Sequence, residues 1–543
     1  MAFTPDQNKA INFDKGNCLV AAGAGSGKTA VLSERVLTLV KEKKCKLNEL
    51  LILTFTNKAA FEMKERIRKK LASCPLTRDS LDYIDQSDIT TFDAFALNIA
   101  TKYYSLIGLD YPPSLIDESL LDVYKNKQLD QIIEEKSRHS LIEKDDFYKF
   151  NEAYFEKNFT KLKEAVLSIL NQAYLKEDKE KYLNELVINS TSLEFANRKY
   201  SDLYYLAKEY LNNANLILNE YENSFALDAD NQYLSLFLNC NSLEELGKAF
   251  ETSKSFTRVA KDWQMNEEDK KAREKFKDEF KKAKPLFGIT ANSIYEDQLK
   301  TKPYMETIVS IAKELDKRLD NYKKENSSYS FSDIFSLARK IISLKEVNEQ
   351  LRNHYKYIMV DEYQDTSDLQ ESLLNALSSN NVFAVGDIKQ SIYRFRNANP
   401  LNFSNKMDKF SRKENGTLIT LSSNFRSRRE ILDGINKIFD PIMTIDRGGV
   451  SYKNNQALNF GNTSYSPSEN ESIYGIKCLS YNNNKEEVED VVIEQARRIA
   501  ADILSKINKL EVLDKNTNAM RKATFSDFAI LIDKKTQFDK FTK

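Results

Sequence analysis

A chain of 543 residues is long enough for about two to four domains, each with its own core. Hydrophobic residues make up 41% and charged residues 30% of it, which excludes a disordered polypeptide and fits a globular one. Lys plus Arg and Asp plus Glu both total 81, so a uniformly basic, histone-like binder is excluded, although a local basic groove is not.

No apolar run approaches the length of a bilayer span. The N-terminus, "MAFTPDQNKAINFDKGN", lacks the basic-then-apolar layout of a signal peptide. A cytoplasmic location without a membrane partner is therefore expected. The five cysteines (Cys18, Cys45, Cys74, Cys240, Cys478) form no CxxC pair, and with only His139 and His354 the chain offers no zinc or iron–sulfur pattern.

In chain order, the first apolar run is "NCLVAAG" (17–23), followed by "AAGAGSGKT" (21–29) and the helical pattern "AVLSERVLTLV". Strand, glycine-rich loop and helix in that order make a P-loop: Ala22, Gly23, Ala24, Gly25, Ser26 and Gly27 present backbone N–H groups to phosphate oxygens at a helix N-terminus. Lys28 would reach the β- and γ-phosphates of ATP, and the Thr29 hydroxyl would ligate Mg²⁺. Ala22 stands where the general pattern has glycine. "ELLILTFT" (49–56) is a second strand.

From about 106 to 325 strand signals fade. In "TKLKEAVLSILNQAYL", Leu162, Ala165, Val166, Ile169, Leu170 and Ala173 line one helix face. "EEDKKAREKFKDEFKKAK" (267–284) is expected to be a charged, exposed helix. This region is expected to be a helical domain inserted into a sheet domain.

Strands resume with "KYIMVDE" (356–362) and "NVFAVGD" (381–387). All four runs are continuously apolar and lead into polar loops, as parallel strands covered on both faces do. Their carboxyl ends are where ligands gather, so the fold class is α/β with a nucleotide-binding sheet. "IMVDEYQD" (358–365) places Asp361 to hold Mg²⁺ and Glu362 to orient and deprotonate a water. A second sheet is expected after about 400, with strands in "TLITLSSNFRS" and "FSDFAILIDKK" (525–535) and a loop-rich stretch between them.

The P-loop, "VDEYQDT" and "VGDIKQSIYRFRNA" in this order resemble motifs I, II and III of superfamily 1 DNA helicases. "FTPDQNKAI" (3–11) is similar to the Q motif, "LTFTNKAAFEMKERI" (53–67) to motif Ia and "LSSNFRSRREIL" (421–432) to motif IV. The resemblance implies that Gln7 reads adenine and Phe425 packs on it. It also implies that Gln390 senses the γ-phosphate and that Arg426 is an arginine finger beside the catalytic Asp361 and Glu362. Phe55, Thr56, Asn57, Phe395 and Arg396 match single-strand contacts, Phe395 by stacking on a base. Arg394 adds positive charge. Tyr393 is left open between a core position and this binding face, while Lys58, Arg428 and Arg429 are expected to be solvated charges.

"GDIKQSIYRFRNA" and the long helical insert resemble AddA-type helicase–nuclease subunits more than UvrD-like helicases. The fold implied is a RecA-like P-loop parallel sheet domain with a large inserted helical domain and a second, incomplete RecA-like domain. Its expected parts are 1–105 and 326–400 for the first motor domain, 106–325 for the insert and 401–543 for the start of the second. The function implied is ATP-dependent 3′→5′ movement on single-stranded DNA, and unwinding of duplex, in break repair beside an AddB-like nuclease subunit.

Asp93, in the motif Ib-like "DITTFDAFAL", stands where the family usually has His, and its charge would repel DNA phosphates. Asp533 likewise replaces a frequent Arg. Motifs V and VI and a nuclease domain do not appear, so the chain is expected to be the N-terminal portion of such a protein, binding nucleotide without unwinding. The alternatives are a UvrD/PcrA-like repair helicase and a truncated ATP- and DNA-binding module.

Overall fold

A computed structural model describes residues 3–143, 146–154, 159–221, 224–253, 256, 265–445, 451–452, 457–462, 464–465, 474–478, 490–514, 517 and 519–542. The chain divides into two compact units, one made of Met1–Ile107 with Phe335–Lys543 and the other of Gly108–Ile334.

The first unit is built on a six-stranded sheet. Its strands are β1 (Cys18–Ala22), β2 (Leu50–Thr54), β3 (Asp88–Thr91), β4 (Tyr357–Val360), β5 (Val382–Gly386) and β6 (Thr417–Leu421). They lie in the order β3-β2-β4-β5-β1-β6, and every pairing is parallel. β1, β2 and β5 are buried at every position, which is why they are apolar throughout rather than alternating. The four strands expected from the apolar runs are β1, β2, β4 and β5.

Two of the strands expected after residue 400 differ in the fold. "TLITL" does not open a second sheet, because it pairs with β1 from Cys18↔Thr417 to Ala22↔Leu421. The helix Pro400–Ser411 packs against β1 and β6, so the first sheet domain extends past the boundary expected near 400. The strand expected in 525–535 is also absent. Phe525–Asp527 and Lys535–Gln537 are short 3-10 turns, and Leu531 is 95% exposed. An apolar run becomes a strand only where a neighbour completes its hydrogen bonds.

Helix α1 (Pro5–Ile11) begins with a capping box. Thr4 Oγ1 accepts from the Gln7 N–H and Gln7 Oε1 accepts from the Thr4 N–H. The far end of α1 is held by a cation. Arg35, on α2 (Lys28–Lys41), is buried and donates through Nη1 to the carbonyls of Ala10, Ile11 and Phe13. Its guanidinium lies 4.4 Å from the Phe383 ring centroid, and burial lowers its pKa to about 10. A positive group at carbonyls released by a helix C-terminus satisfies them and the helix dipole together.

The second unit is helical. Leu162, Val166 and Leu170 of Thr160–Tyr174 are buried against a core that includes Leu121, Leu129 and, from the 35-residue helix Ala291–Glu325, Ile311 and Leu315, and Ala173 of the same helix as Leu162 is buried too. The helix Glu267–Ala283 is not the exposed rod expected from its charges. Ala272, Phe276, Phe280 and Ala283 recur at i, i+4, i+8 and i+11 and are buried. Beside them Arg273 makes a buried two-point pair with Asp230, at 2.7 and 2.9 Å, and Tyr221 adds a third bond to that carboxylate at 3.0 Å. The unit closes with a parallel pairing of Ser114–Leu115 and Ser328–Tyr329. No helix among the described residues is long and apolar enough to cross a membrane.

Replacing Arg35 by Met removes the donor while preserving bulk and leaves buried carbonyls unpartnered. A loss of about 1.5–3 kcal/mol is expected, read by chemical denaturation of the purified chain.

Candidate nucleotide and single-strand site

The loop after β1 owes its shape to two glycines. Gly25 (φ +68°) and Gly27 (φ +85°) are left-handed, and Gly27 caps α2, which starts at Lys28. A Cβ at Gly25 would come 2.7 Å from Asn424 Nδ2, and one at Gly27 would press on Gln7 Nε2 at 3.1 Å. Ala22 is the last residue of β1 and extended, so the missing glycine costs nothing there. Ser26 Oγ is buried without a hydrogen-bond partner, an unspent donor inside the cradle. Gln7 Nε2 donates to Ser26 O at 2.8 Å, fixing α1 to the loop.

Two strands away, β4 runs into Asp361 and Glu362. Glu362 is left-handed at φ +50°, ψ +45°, a conformation that a non-glycine residue adopts only at a cost. The turn aims its carboxylate back at the P-loop. Lys28 Nζ donates to Glu362 Oε2 at 2.5 Å, and Gln364 Nε2 donates to the same oxygen at 2.8 Å. Burial and the Glu362 charge push Asp361 up to about 6, against the pull of Lys28. The same two causes push Asp365 up to about 6, and its Oδ1 is buried without a partner.

The loop after β5 is organised by Asp387, whose carboxylate accepts from the Lys389 N–H at 3.1 Å, Lys389 Nζ at 2.8 Å and Gln390 Nε2 at 2.8 Å. Gln390 therefore points its amide at Asp387, and the route from this loop to Glu362 runs through Gln364, whose Oε1 accepts the Asp387 N–H at 2.9 Å. Further along, Tyr393 packs on Phe55 with centroids 4.7 Å apart and on Phe395 at 5.7 Å. The Arg396 guanidinium lies 5.5–6.0 Å from all three rings. Phe395 is 77% exposed, and Tyr393 is half-buried within this aromatic group. Thr56 uses its hydroxyl to cap the following helix, accepting from the Ala59 N–H at 3.1 Å, and Asn57 is the exposed first residue of that helix. Lys58 is exposed, 3.9 Å from Glu62.

A third segment, after β6, covers the P-loop. Asn424 Nδ2 donates to Ala24 O at 2.6 Å and the Phe425 N–H to Gly25 O at 2.9 Å. Asn424 Oδ1 accepts the N–H groups of Arg426 and Ser427 at 2.8 and 2.9 Å, a local turn that presents Arg426 beside the loop. Phe425 lies against Gly461, where a Cβ would come within 2.8 Å of its ring. Arg429 is exposed as expected, but Arg428 is not a free surface charge. Its guanidinium lies 3.9 Å from the Tyr474 ring centroid and 4.9 Å from that of Tyr465. Asp93 is exposed in the first turn of the helix Phe92–Lys102, and Asp533 is exposed outside any strand.

Lys28, Glu362, Gln7, Phe425 and Arg426 are thus gathered around the P-loop, while half-buried Phe55 and Tyr393 with exposed Phe395 and Arg396 form a separate face beyond β4. Gln364, Asn424 and Arg35 are the residues that sequence reasoning missed. Two of them sit inside the quoted motifs, "DEYQD" and "SSNFRS", where the residue types signalled polarity but not partner. Among the described residues no three His, Cys, Asp or Glu side chains gather as metal ligands. One hydroxyl, Thr29, and one carboxylate, Asp361, suit an octahedral ion whose other ligands are phosphate oxygens and water.

A family model for the UvrD/REP helicase N-terminal domain matches residues 3–228 and 217–411, most of the chain. The chain belongs to this family. Several relatives, each named as the A subunit of an ATP-dependent helicase/nuclease, align over nearly all of it. That of Clostridium acetobutylicum is 29% identical, covering 98% of this chain and 48% of the relative. That of Lactobacillus johnsonii is 30% identical over 97% and 48%, and that of Bacillus cytotoxicus 31% over 98% and 47%. The chain spans about half the length of these curated relatives. Within the family fold, the two ends of the match, at Phe3 and Ser411, bracket the P-loop, Glu362 and the aromatic face.

Asp365 carries a pKa raised in the folded chain, so its ionised form opposes folding. That penalty is absent at pH values below about 4 and is complete above about 6. Asp365→Asn is therefore expected to melt higher than the parent above pH 6. The gap should close as the pH falls towards 4 in a calorimetric series.

Proposed function

We propose that this chain is the ATP-driven motor part of an AddA-like helicase–nuclease, moving 3′→5′ on single-stranded DNA in double-strand break repair with an AddB-like partner. The observation that carries the reading is the meeting of two chemistries at one sheet edge. In the order β2-β4-β5-β1, the Lys28–Glu362 pair lies at the ends of β1 and β4, and the Phe55–Tyr393–Phe395 face is built from the ends of β2 and β5.

In this reading Lys28 and the loop N–H groups bind the phosphates of ATP, with Gln7 and Phe425 at the adenine and Gln390 sensing the γ-phosphate. Thr29 and Asp361 hold Mg²⁺, which when bound neutralises phosphate charge. Glu362 takes the proton of the attacking water, and Arg426 offsets charge on the transferring group. Phe55, Thr56, Asn57, Phe395 and Arg396 hold the single strand, with bases stacked on an aromatic face that tolerates any sequence. The helical unit is read as the domain inserted into the motor, and the segment after β6 as the approach to a second motor domain. The family's polarity is carried over by analogy.

Lys28→Ala is expected to abolish ATP turnover in the purified protein; unchanged turnover would remove the P-loop from the mechanism. Glu362→Gln should retain binding of a fluorescent nucleotide while hydrolysis falls by about 10²-fold or more. Phe395→Ala should weaken oligothymidylate binding by about 1–3 kcal/mol in an anisotropy titration. Equal affinity in parent and variant would show that the strand lies elsewhere.

A further inference from the structure

Between the P-loop side of the sheet edge and its aromatic face stands one buried side chain. Gln364 is 1% exposed, and its amide is used at both ends. Its Oε1 accepts the Asp387 N–H at 2.9 Å, and its Nε2 donates to Glu362 Oε2 at 2.8 Å and to Asp365 Oδ2 at 3.1 Å. The orientation is forced, because a backbone N–H can only donate and a carboxylate here only accepts. The backbone carbonyl of Gln364 also accepts from Ser391 Oγ at 3.2 Å.

The neighbouring residues complete the grip. The Asn399 N–H donates to Thr366 O at 2.9 Å, and Ser367 bridges Ala398. The loop 387–399 is thus fastened at both ends to the segment 364–367, with Tyr393, Phe395 and Arg396 on the free span between. Gly386 makes the close approach possible, since a Cβ there would collide with Gln364 Oε1 and come within 3.0 Å of Phe403.

We propose that Gln364 is a positioning residue that transmits the state of the Glu362 carboxylate to the loop 387–399, and so sets the geometry of the aromatic face that holds a single strand. The inference rests on the motor reading above and adds the element that joins its two halves. Glu362 Oε2 is shared between Lys28 and Gln364, so a change in the Lys28 contact alters the bond that Gln364 makes. Gln364 is anchored to Asp387 by its other end, so a shift of its amide moves the base of the loop. Neither phosphate nor DNA needs to touch Gln364 for this coupling.

The test is a linkage measurement on the full chain. The affinity of a fluorescein-labelled oligothymidylate is titrated with and without the non-hydrolysable analogue AMPPNP and Mg²⁺. In the parent the two affinities are expected to differ by about fivefold or more. Gln364→Met keeps bulk and loses all three side-chain hydrogen bonds. Its ratio should fall to within about twofold of one, with each separate affinity within about threefold of the parent. A merely structural role would weaken both affinities and preserve the ratio, and that result overturns the proposal.

Gly386→Ala displaces the amide without removing it and should reproduce the loss of coupling. A Gly386→Ala chain that folds and couples like the parent also overturns the link. A coupled parent with coupled variants rejects Gln364 alone, whereas a parent whose DNA affinity ignores nucleotide rejects the motor reading and the link with it.

Discussion

The sheet edge depends on one carboxylate oxygen. Glu362 Oε2 receives both the Lys28 ammonium and the Gln364 amide, from a residue whose own backbone is left-handed. That conformation is held by what surrounds it. The Glu362 N–H is taken by Asp361 Oδ1, the Asp361 N–H continues the ladder to Leu53 O, and the strand behind is fully buried at Met359 and Val360. Strain of this kind costs on the order of 1–3 kcal/mol and survives where the surrounding structure over-determines it. The acidic neighbours add to the cost, because Asp361 and Asp365 are both pushed towards neutrality by burial beside the same charge.

Much of the sheet was legible because its strands are parallel and covered. Continuous apolar runs at 18–22, 50–54, 357–360 and 382–386 have no other economical use in a chain of this kind. The strands at the two edges were harder. "DITT" is short and polar, and "TLITL" alternates because it lies at the sheet margin with Thr417 and Thr420 exposed. Alternation cannot say which sheet a strand joins, and the pairing with β1 is a long-range fact. The 525–535 run failed for the converse reason, since apolarity without a ladder partner specifies no strand. In Glu267–Ala283 the charges outnumber the four small and aromatic residues that decide its packing, so composition misled where spacing would have helped.

The glycine loop and the acidic turn were legible from residue type and order, because glycines between an apolar strand and a helix, and acids directly after another apolar strand, are local patterns. Sequence could not show that Gln390 turns to Asp387, or that Gln364 spans the gap to Glu362. Nor could it show that Asn424 ties the segment after β6 to the loop after β1. Each of these is an amide meeting a partner fixed by the fold, and amides carry no spacing rule. Arg35 was hidden for a similar reason. Its acceptors are backbone carbonyls, which every residue has.

The short parallel pairing of Ser114–Leu115 with Ser328–Tyr329 gives the helical unit its own clasp. Some two hundred residues thereby become, topologically, a closed loop whose two stems are zipped together by hydrogen bonds of their own. Helices can be gained, lost or lengthened above such a zip without altering the span between its stems. The helical unit is thus free to diverge in size while its two stems keep their register.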